Sequence, residues 1–254
     1  MNRNIYCLDG ERQSFFAAVF DAYNDQNAYL SSSANLQAEL GDICIRVEEN
    51  EEKTARVLKK LKTIDADAPF DIATILRNSA EDAPQTALEY IRETVKTGRS
   101  VKGKLSSPWV RRAMDLRGQV LSESHRLKGF LRFQETLNGV LYAACSPDHL
   151  VIDLLLPHFT VRLKGLAFVI HDVKRGLAAM YDGKSCVLVR AQNAELIVSD
   201  RESAFSSLWK KYYDTVNIGS RKNTRQQKNY MPVRYWKFLN ENASGEKIDG
   251  ENGE

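Results

Sequence analysis

The chain has 254 residues, of which 43% are hydrophobic and 27% are charged. This composition excludes a fibrous or wholly disordered chain, and no apolar run reaches the roughly 18 residues that span a bilayer. The N-terminus reaches Asp9 and Glu11 without an apolar segment, so no secretory signal is expected. The four scattered cysteines lack paired spacing, which favours reduced thiols in a cytoplasmic protein without a structural zinc site.

The first 98 residues predict alternating strands and helices. Strand-like runs cover residues 4–8 and 42–47, and helices are predicted over 14–24, from Thr54 to Ile64, and over 70–97 with a division near Pro84 and an end at Gly98. Between residues 37 and 95 there are 13 acidic and 8 basic residues. We therefore expect an acidic N-terminal region at 1–98 that acts as a scaffold or as a partner surface.

Residues 99–240 predict a second, basic domain. Its expected elements are a helix from Pro108 to Leu131, a strand-like segment at 133–145, a helix at 147–163 with a kink or break at Pro157, strands at 166–172, 176–181 and 185–190, a helix at 202–216 and a last helix from Pro232. Asp182-Gly183 marks a hairpin. These short, grouped strands predict an α+β fold with helical segments around a small, mainly antiparallel sheet. The acidic tail at 241–254 is expected to be disordered.

Positive charge is segregated along the chain, although the net charge is only +3. Residues 99–134 contain nine Lys and Arg against two acidic residues, and residues 208–238 contain eight against one. Such segregation is typical of surfaces that bind anionic partners.

The segment SESHRLKGFLRF contains the first cluster of candidate side chains. The cluster holds His125, Arg126, Lys128 and Arg132. Arginine and lysine suit phosphate contacts, and Phe130 and Phe133 could stack on bases. A solvated cationic helix face with two core phenylalanines explains the same pattern equally well.

The segment PHFTVRL contains a second pair. His158 and Arg162 are four residues apart and therefore share one face of a helix. Histidine can transfer protons near neutral pH, and an adjacent arginine can hold an anion. The alternative is a partly buried histidine whose pKa the arginine lowers.

A third group lies at an expected strand end, where Asp172 could orient a histidine or pair with Arg175. The pattern favours a structural ion pair at a hairpin and leaves Arg175 as a candidate phosphate ligand. The four histidines match no metal-binding spacing such as HExxH, so no metal is predicted.

The segment SRKNTRQQKNYMPVRYWKFL is dense in hydrogen-bond donors followed by aromatic residues. Such a combination suits a flexible single strand or a flipped base. The alternative is a cationic loop before an amphipathic helix that packs through its aromatic residues. The candidates here are Arg221, Asn223, Arg225, Arg234, Tyr235 and Trp236.

Several signatures of chemistry are missing from the sequence. It contains no GxxxxGK[ST] phosphate loop, no GxGxxG dinucleotide motif, no GxSxG elbow and no cysteines spaced for an iron–sulfur cluster. We therefore predict no cofactor and assign no catalytic residue.

The ordered segments ESHRLKGFLRF, GVLYAACSPDH, HFTVR, VIHDVKRGLAAMYDG, LWKKYYDTVNIGSRKN and PVRYWKFL resemble a bacterial family labelled as DNA metabolism and DNA repair proteins. Members of that family are usually encoded beside a radical-SAM protein, and a related domain is fused to uracil-DNA-glycosylase-like domains. The resemblance is specific over residues 115–240 and looser over 1–100. It implies DNA as partner, single-stranded or damaged rather than intact duplex, together with the radical-SAM protein and without a membrane.

Three hypotheses follow from the clusters and the resemblance. The first is a DNA-binding accessory protein in DNA repair or modification that acts with the radical-SAM partner. The second is a glycosylase- or nuclease-like enzyme that uses His158 as acid or base, with Asp172 orienting it and Arg162 or Arg175 stabilising phosphate charge. The third is a non-catalytic protein adaptor.

Overall fold

The computed structural model describes residues 2–9, 12–32, 38–191 and 231–239. Backbone proximity divides the chain into two compact units, Met1–Ser122 with Asp148–Leu150 and Glu123–Pro147 with Val151–Glu254. The expected boundary after residue 98 rests on a change in charge, which this division does not test, so it stays a prediction. The expected helix at 202–216 and the tail at 241–254 lie outside the described residues.

The first unit contains a three-stranded parallel sheet with the strand order β2–β1–β3. Its strands are β1 (Asn4–Cys7), β2 (Ala28–Ser31) and β3 (Ile43–Arg46). Parallel neighbours need a crossover connection, and helix α1 (Arg12–Ala22) supplies it between β1 and β2. The sequence predicted β1 and β3 but not β2, although all three strands have four residues.

Helices α2 (Glu51–Ile64), α3 (Ala68–Ile75) and α4 (Ala83–Thr97) follow the sheet in the first unit. Asn50, rather than the expected Thr54, caps α2, because the Asn50 side chain accepts a hydrogen bond from the backbone N–H of Lys53. The division between α3 and α4 precedes Pro84, which lies in the first turn of α4. Proline is tolerated there because that N–H has no partner within the helix.

Helix α4 is joined to the end of α1 by Arg92. Its Nη2 donates to the carbonyl oxygens of Ala22 at 2.6 Å and Asp25 at 2.7 Å, and its Nε donates to that of Tyr23 at 3.2 Å. The last carbonyls of a helix lack partners within the helix, so a guanidinium that binds them stabilises the helix end. α4 also meets β2, where the Gln85 side chain accepts from the backbone N–H of Leu30 at 2.9 Å.

The second unit contains a five-stranded sheet in the order β4–β5–β6–β7–β8. Its strands are β4 (Gln134–Glu135), β5 (Leu141–Cys145), β6 (Phe168–Asp172), β7 (Leu177–Tyr181) and β8 (Cys186–Arg190). The β5–β6 pair is parallel and the other pairs are antiparallel. The β7–β8 hairpin turns at Asp182-Gly183, which confirms that prediction.

The expectation of one small, mainly antiparallel sheet is wrong, although the class remains α+β. The described residues form two sheets, one of three parallel strands and one of five mixed strands. Helix α6 (Ile152–Arg162) connects β5 to β6 as a crossover, which makes that pair parallel. The sequence contains a clear hairpin signal, which favoured an antiparallel sheet. Parallel pairing depends on how the chain connects the strands, and hydrophobic periodicity does not indicate that.

Helix α5 (Pro108–Phe130) confirms the long helix that the sequence predicted. Helix α6 begins later than expected and continues through Pro157, so the proline does not divide it. The last expected helix is a 3₁₀ helix, Val233–Phe238. No helix in the part of the chain that the structure describes is long and apolar enough to cross a membrane.

Candidate nucleic-acid interface

Many cations of the first basic stretch are neutralised within the first unit. Lys104 pairs with Glu93 at 2.7 Å, and Arg112 pairs with Asp82, also at 2.7 Å. Paired cations have little charge left for an external anion. The positive count over residues 99–134 therefore overstates the charge that this stretch can offer to a partner.

Asp71 is the most deeply buried of these acidic partners. Its side chain is inaccessible to solvent and forms ion pairs with Arg117 at 2.7 Å and Lys102 at 2.9 Å. Burial raises the pKa of the Tyr90 hydroxyl, and the charges of Asp71 and Asp65 raise it further. These ion pairs join α3 to α5 and to the segment between α4 and α5 within the first unit, and they serve the fold rather than a ligand.

The remaining cations include a group in the second unit that we call the His158 cluster, namely Lys128, His158 and Arg162. Lys128 lies near the end of α5, and the other two residues lie on α6. Over the ranges that the structure describes, neither Lys128 nor Arg162 has an acidic partner within 4 Å. The cluster therefore retains its positive charge.

Aromatic packing holds the two sides of this cluster together. Phe133, just after α5, packs edge-to-face on Phe159 of α6 with ring centroids 5.0 Å apart and on Phe168 of β6 at 5.8 Å. The His158 ring packs edge-to-face on Phe159 at 4.9 Å. Buried aromatic contacts of this kind fix ring orientations. Phe133 is half-buried and packs against the core residues Phe159 and Phe168, as the alternative to base stacking predicted.

The chemistry of His158 reflects its surroundings. Burial lowers its pKa, and the positive charges of Lys128 and Arg162 lower it further. Its Nε2 is shielded from solvent and has no hydrogen-bond partner within the described ranges. Buried polar atoms in proteins normally have a hydrogen-bond partner. This unpartnered atom beside two unpaired cations therefore indicates a binding site whose ligand would supply the acceptor.

The other candidates on α5 occupy different surroundings. His125 is exposed, and Arg126 is half-buried. Arg126 lies two residues from Lys128, so the two side chains point to different faces of the helix. Arg132 donates from Nη1 to the carbonyl oxygen of Gly129 at 2.9 Å and so supports the end of α5.

Arg175 lies in an internal ion pair. Its Nη1 donates to Asp172 at 2.9 Å and to the carbonyl oxygen of Pro147 at 3.1 Å, and its backbone N–H also donates to Asp172. Asp172 is fully buried. This is the structural ion pair that the sequence favoured, and the carboxylate that was expected to orient His158 binds Arg175.

The remaining histidines lie in separate surroundings. His171 is buried, with Nδ1 2.7 Å from the Tyr142 hydroxyl and Nε2 3.2 Å from the carbonyl oxygen of Ala191. Nδ1 of His149 accepts from the backbone N–H of Ser79 at 3.2 Å. No group of three or more potential metal ligands is present within the described ranges.

The candidates near the end of the chain divide between the core and the undescribed part. Tyr235 is buried and donates to Glu123, and Trp236 donates from Nε1 to the carbonyl oxygen of Met231 at 3.0 Å. Both roles are structural. The Arg234 side chain and three further candidates lie outside what the structure describes, namely Arg221, Asn223 and Arg225.

Residues 81–241 match the family described as DUF4130, a domain of unknown function. The chain belongs to this family. No curated protein and no solved structure matches the chain. The family segment contains all three residues of the His158 cluster, and the family description assigns no activity to them.

The sequence analysis placed Lys128 in the first basic cluster but did not join it to His158. The effect of the Lys128 charge on His158 links two distant segments of the chain and leaves no local pattern. Sequence reasoning also missed a buried polar group around Cys145, where burial and the charges of Asp172 and Glu123 raise the thiol pKa.

Proposed function

We propose that this protein binds DNA through the His158 cluster and serves as an accessory protein in DNA repair or modification, with a radical-SAM protein as partner. The supporting observation is that Lys128 and Arg162 flank an unpartnered His158 Nε2 without an acidic residue to neutralise them among the described residues. DNA phosphates supply the missing acceptor oxygens and negative charge. The expected DNA is single-stranded or damaged, and the expected location is the cytoplasm.

The resemblance of the sequence to DNA repair proteins supports DNA over an acidic protein as the anionic partner. The adaptor hypothesis predicts no affinity for nucleic acid, so the same binding measurement separates the two. The enzyme hypothesis has lost its orienting carboxylate, because Arg175 engages Asp172 through both its backbone and its side chain. For this reason we favour binding over catalysis at His158.

The test is a fluorescence anisotropy titration of a single-stranded oligonucleotide with the full chain from 50 to 200 mM salt. Binding through phosphates releases counterions, so affinity should fall steeply as salt rises. Replacing both Lys128 and Arg162 by alanine should weaken binding about tenfold or more at low salt. The slope of log affinity against log salt concentration should also become shallower by about 1.4, because each lost phosphate contact removes about 0.7.

The matched control is the double variant Lys104→Ala with Arg112→Ala, which removes the same number of positive charges. These two cations are paired with Glu93 and Asp82, so their loss should leave DNA affinity within about twofold. Equal losses in the two double variants would show that only total charge matters and would contradict the proposed interface. A DNA affinity that does not change with salt concentration would contradict the proposed function itself.

A further inference from the structure

We propose that the His158 cluster is a pocket for a terminal phosphate, so that its preferred DNA is a strand end carrying a phosphomonoester rather than a continuous strand. This inference rests on the proposed function and names the chemical group that the site binds. A DNA break or gap exposes such a group, which connects the site to damaged DNA.

The arrangement of the cluster is compact rather than extended. Arg162 lies one helical turn from His158 on α6, and the positive charge of Lys128 near the end of α5 lowers the pKa of the same imidazole. Among the residues that the structure describes, Arg175 and Arg126 do not continue the cluster into a row, since Arg175 is bound to Asp172 and Arg126 lies on another face of α5. Proteins that bind a continuous DNA strand normally hold it in a groove lined by cations and by aromatic side chains that stack on the bases. Here the positive charge converges on one imidazole.

The charge of the cluster fits a dianion. Lys128 and Arg162 together carry two positive charges, and His158 can donate one N–H without adding charge while it is neutral. A phosphodiester carries one negative charge, whereas a phosphomonoester carries nearly two at pH 7 because its second pKa is about 6. The monoester also has three oxygens free to accept hydrogen bonds, which matches the three donors.

The third donor of the pocket is the Nε2 atom of His158. The Nε2 atom is shielded from solvent and has no acceptor among the residues that the structure describes. A polar atom in this position costs stability unless a ligand or an ordered water satisfies it. Arg162 is exposed and Lys128 is half-buried, and both have long, flexible side chains that can adjust to a phosphate. Phe159 holds the ring in place while they do so.

The experiment compares three oligonucleotides of one sequence that carry a 5′-phosphate, a 3′-phosphate or hydroxyl groups at both ends, each titrated with the full chain in phosphate-free buffer. We expect at least one phosphorylated end to bind about tenfold more tightly than the hydroxyl end, because the two cations then meet a phosphomonoester instead of a phosphodiester with one charge fewer. His158→Gln and Arg162→Gln should each reduce this preference to about twofold or less. Lys164→Gln, which removes an exposed cation two residues beyond Arg162, should keep it.

The outcomes separate the inference from the function on which it rests. Equal affinity for phosphorylated and hydroxyl ends would overturn the terminal-phosphate pocket and leave DNA binding intact. Failure of all three oligonucleotides to bind at low salt would overturn the proposed function. Inorganic phosphate added as a competitor should abolish the preference for phosphorylated ends while hydroxyl-ended DNA stays bound. Arg162→Gln keeps the test decisive if His158→Gln does not fold, because the Arg162 side chain is exposed.

Discussion

The Tyr235 hydroxyl donates a hydrogen bond of 2.5 Å to a carboxylate oxygen of Glu123, although the two residues are 112 positions apart in the sequence. Both side chains are buried, and the Tyr235 ring also lies 6.3 Å from that of Phe130. The contact fastens the 3₁₀ helix to the last turns of α5 within the second unit. An aromatic residue that the sequence suggested for base stacking thus anchors the fold.

Replacing Tyr235 by Phe should lower the free energy of unfolding by about 1 to 3 kcal/mol, because a buried carboxylate loses a donor. Urea denaturation followed by circular dichroism measures the change. The control is Tyr181→Phe, which removes a bond to the carbonyl oxygen of Gly183 at a half-buried position and should cost about 0.5 to 1 kcal/mol. A smaller loss at Tyr235 than at Tyr181 would contradict the buried bond.

Replacing Asp71 by Ala should destabilise the first unit by about 2 to 4 kcal/mol. Breaking a buried ion pair commonly costs about 3 to 5 kcal/mol, but Arg117 and Lys102 are about one-third exposed and can regain water. The same denaturation experiment measures the loss. Asp67→Ala is the matched control, because Asp67 contacts the same Lys102 while 74% of its side chain is exposed, and its loss should change stability by less than about 1 kcal/mol.

Replacing Gly98 by Ala should cost about 1 kcal/mol of stability. Gly98 ends α4 with a φ of 69°, a left-handed conformation that side chains with a Cβ disfavour. A Cβ at this position would meet nothing within 4 Å, so the cost is confined to the backbone. Gly103→Ala tests this reasoning, since its surroundings are equally open and its φ is not left-handed. That variant should stay within about 0.5 kcal/mol of the parent, and a loss equal to that of Gly98→Ala would refute the backbone explanation.

Replacing Lys128 by Met should raise the pKa of His158 toward its ordinary value of 6.5, because one of the two nearby positive charges disappears. NMR titration of the imidazole protons measures the shift, and Lys164→Met at an exposed position should leave it unchanged. The lowered pKa means that the unfolded chain binds more protons between the two pKa values. His158 therefore lowers stability as pH falls through that window. Lys128→Met should reduce this loss, and an unchanged titration curve would remove Lys128 from the cluster.

Elements with strong local signals were predictable from the sequence. The long helix from Pro108 and the hairpin at Asp182-Gly183 are both confirmed, because helix periodicity and turn chemistry depend on neighbouring residues. The parallel pairing of β5 with β6 was not predicted. It depends on the way α6 returns the chain to the sheet, and sequence periodicity does not contain that information.

The candidate site was predictable only in part, for a similar reason. The spacing of His158 and Arg162 placed them correctly on one helix face. Charge counting could not separate Lys128, which has no acidic partner among the described residues, from Lys104, which pairs with Glu93. That distinction depends on contacts between distant segments. The positive charge of a sequence segment is therefore an upper limit on the charge that its folded surface offers.

Helix α4 contacts elements that lie before the start of the family match. The matched segment begins at residue 81, just before α4, yet Arg92 binds carbonyl oxygens at the end of α1 and Gln85 binds β2. A fragment cut at residue 81 would contain every residue of the His158 cluster while leaving the apolar face of its first helix without a sheet to cover it. The stretch by which the family is recognised is thus shorter than the stretch that must fold together. In this chain, the matched segment therefore depends on the N-terminal sheet that precedes it.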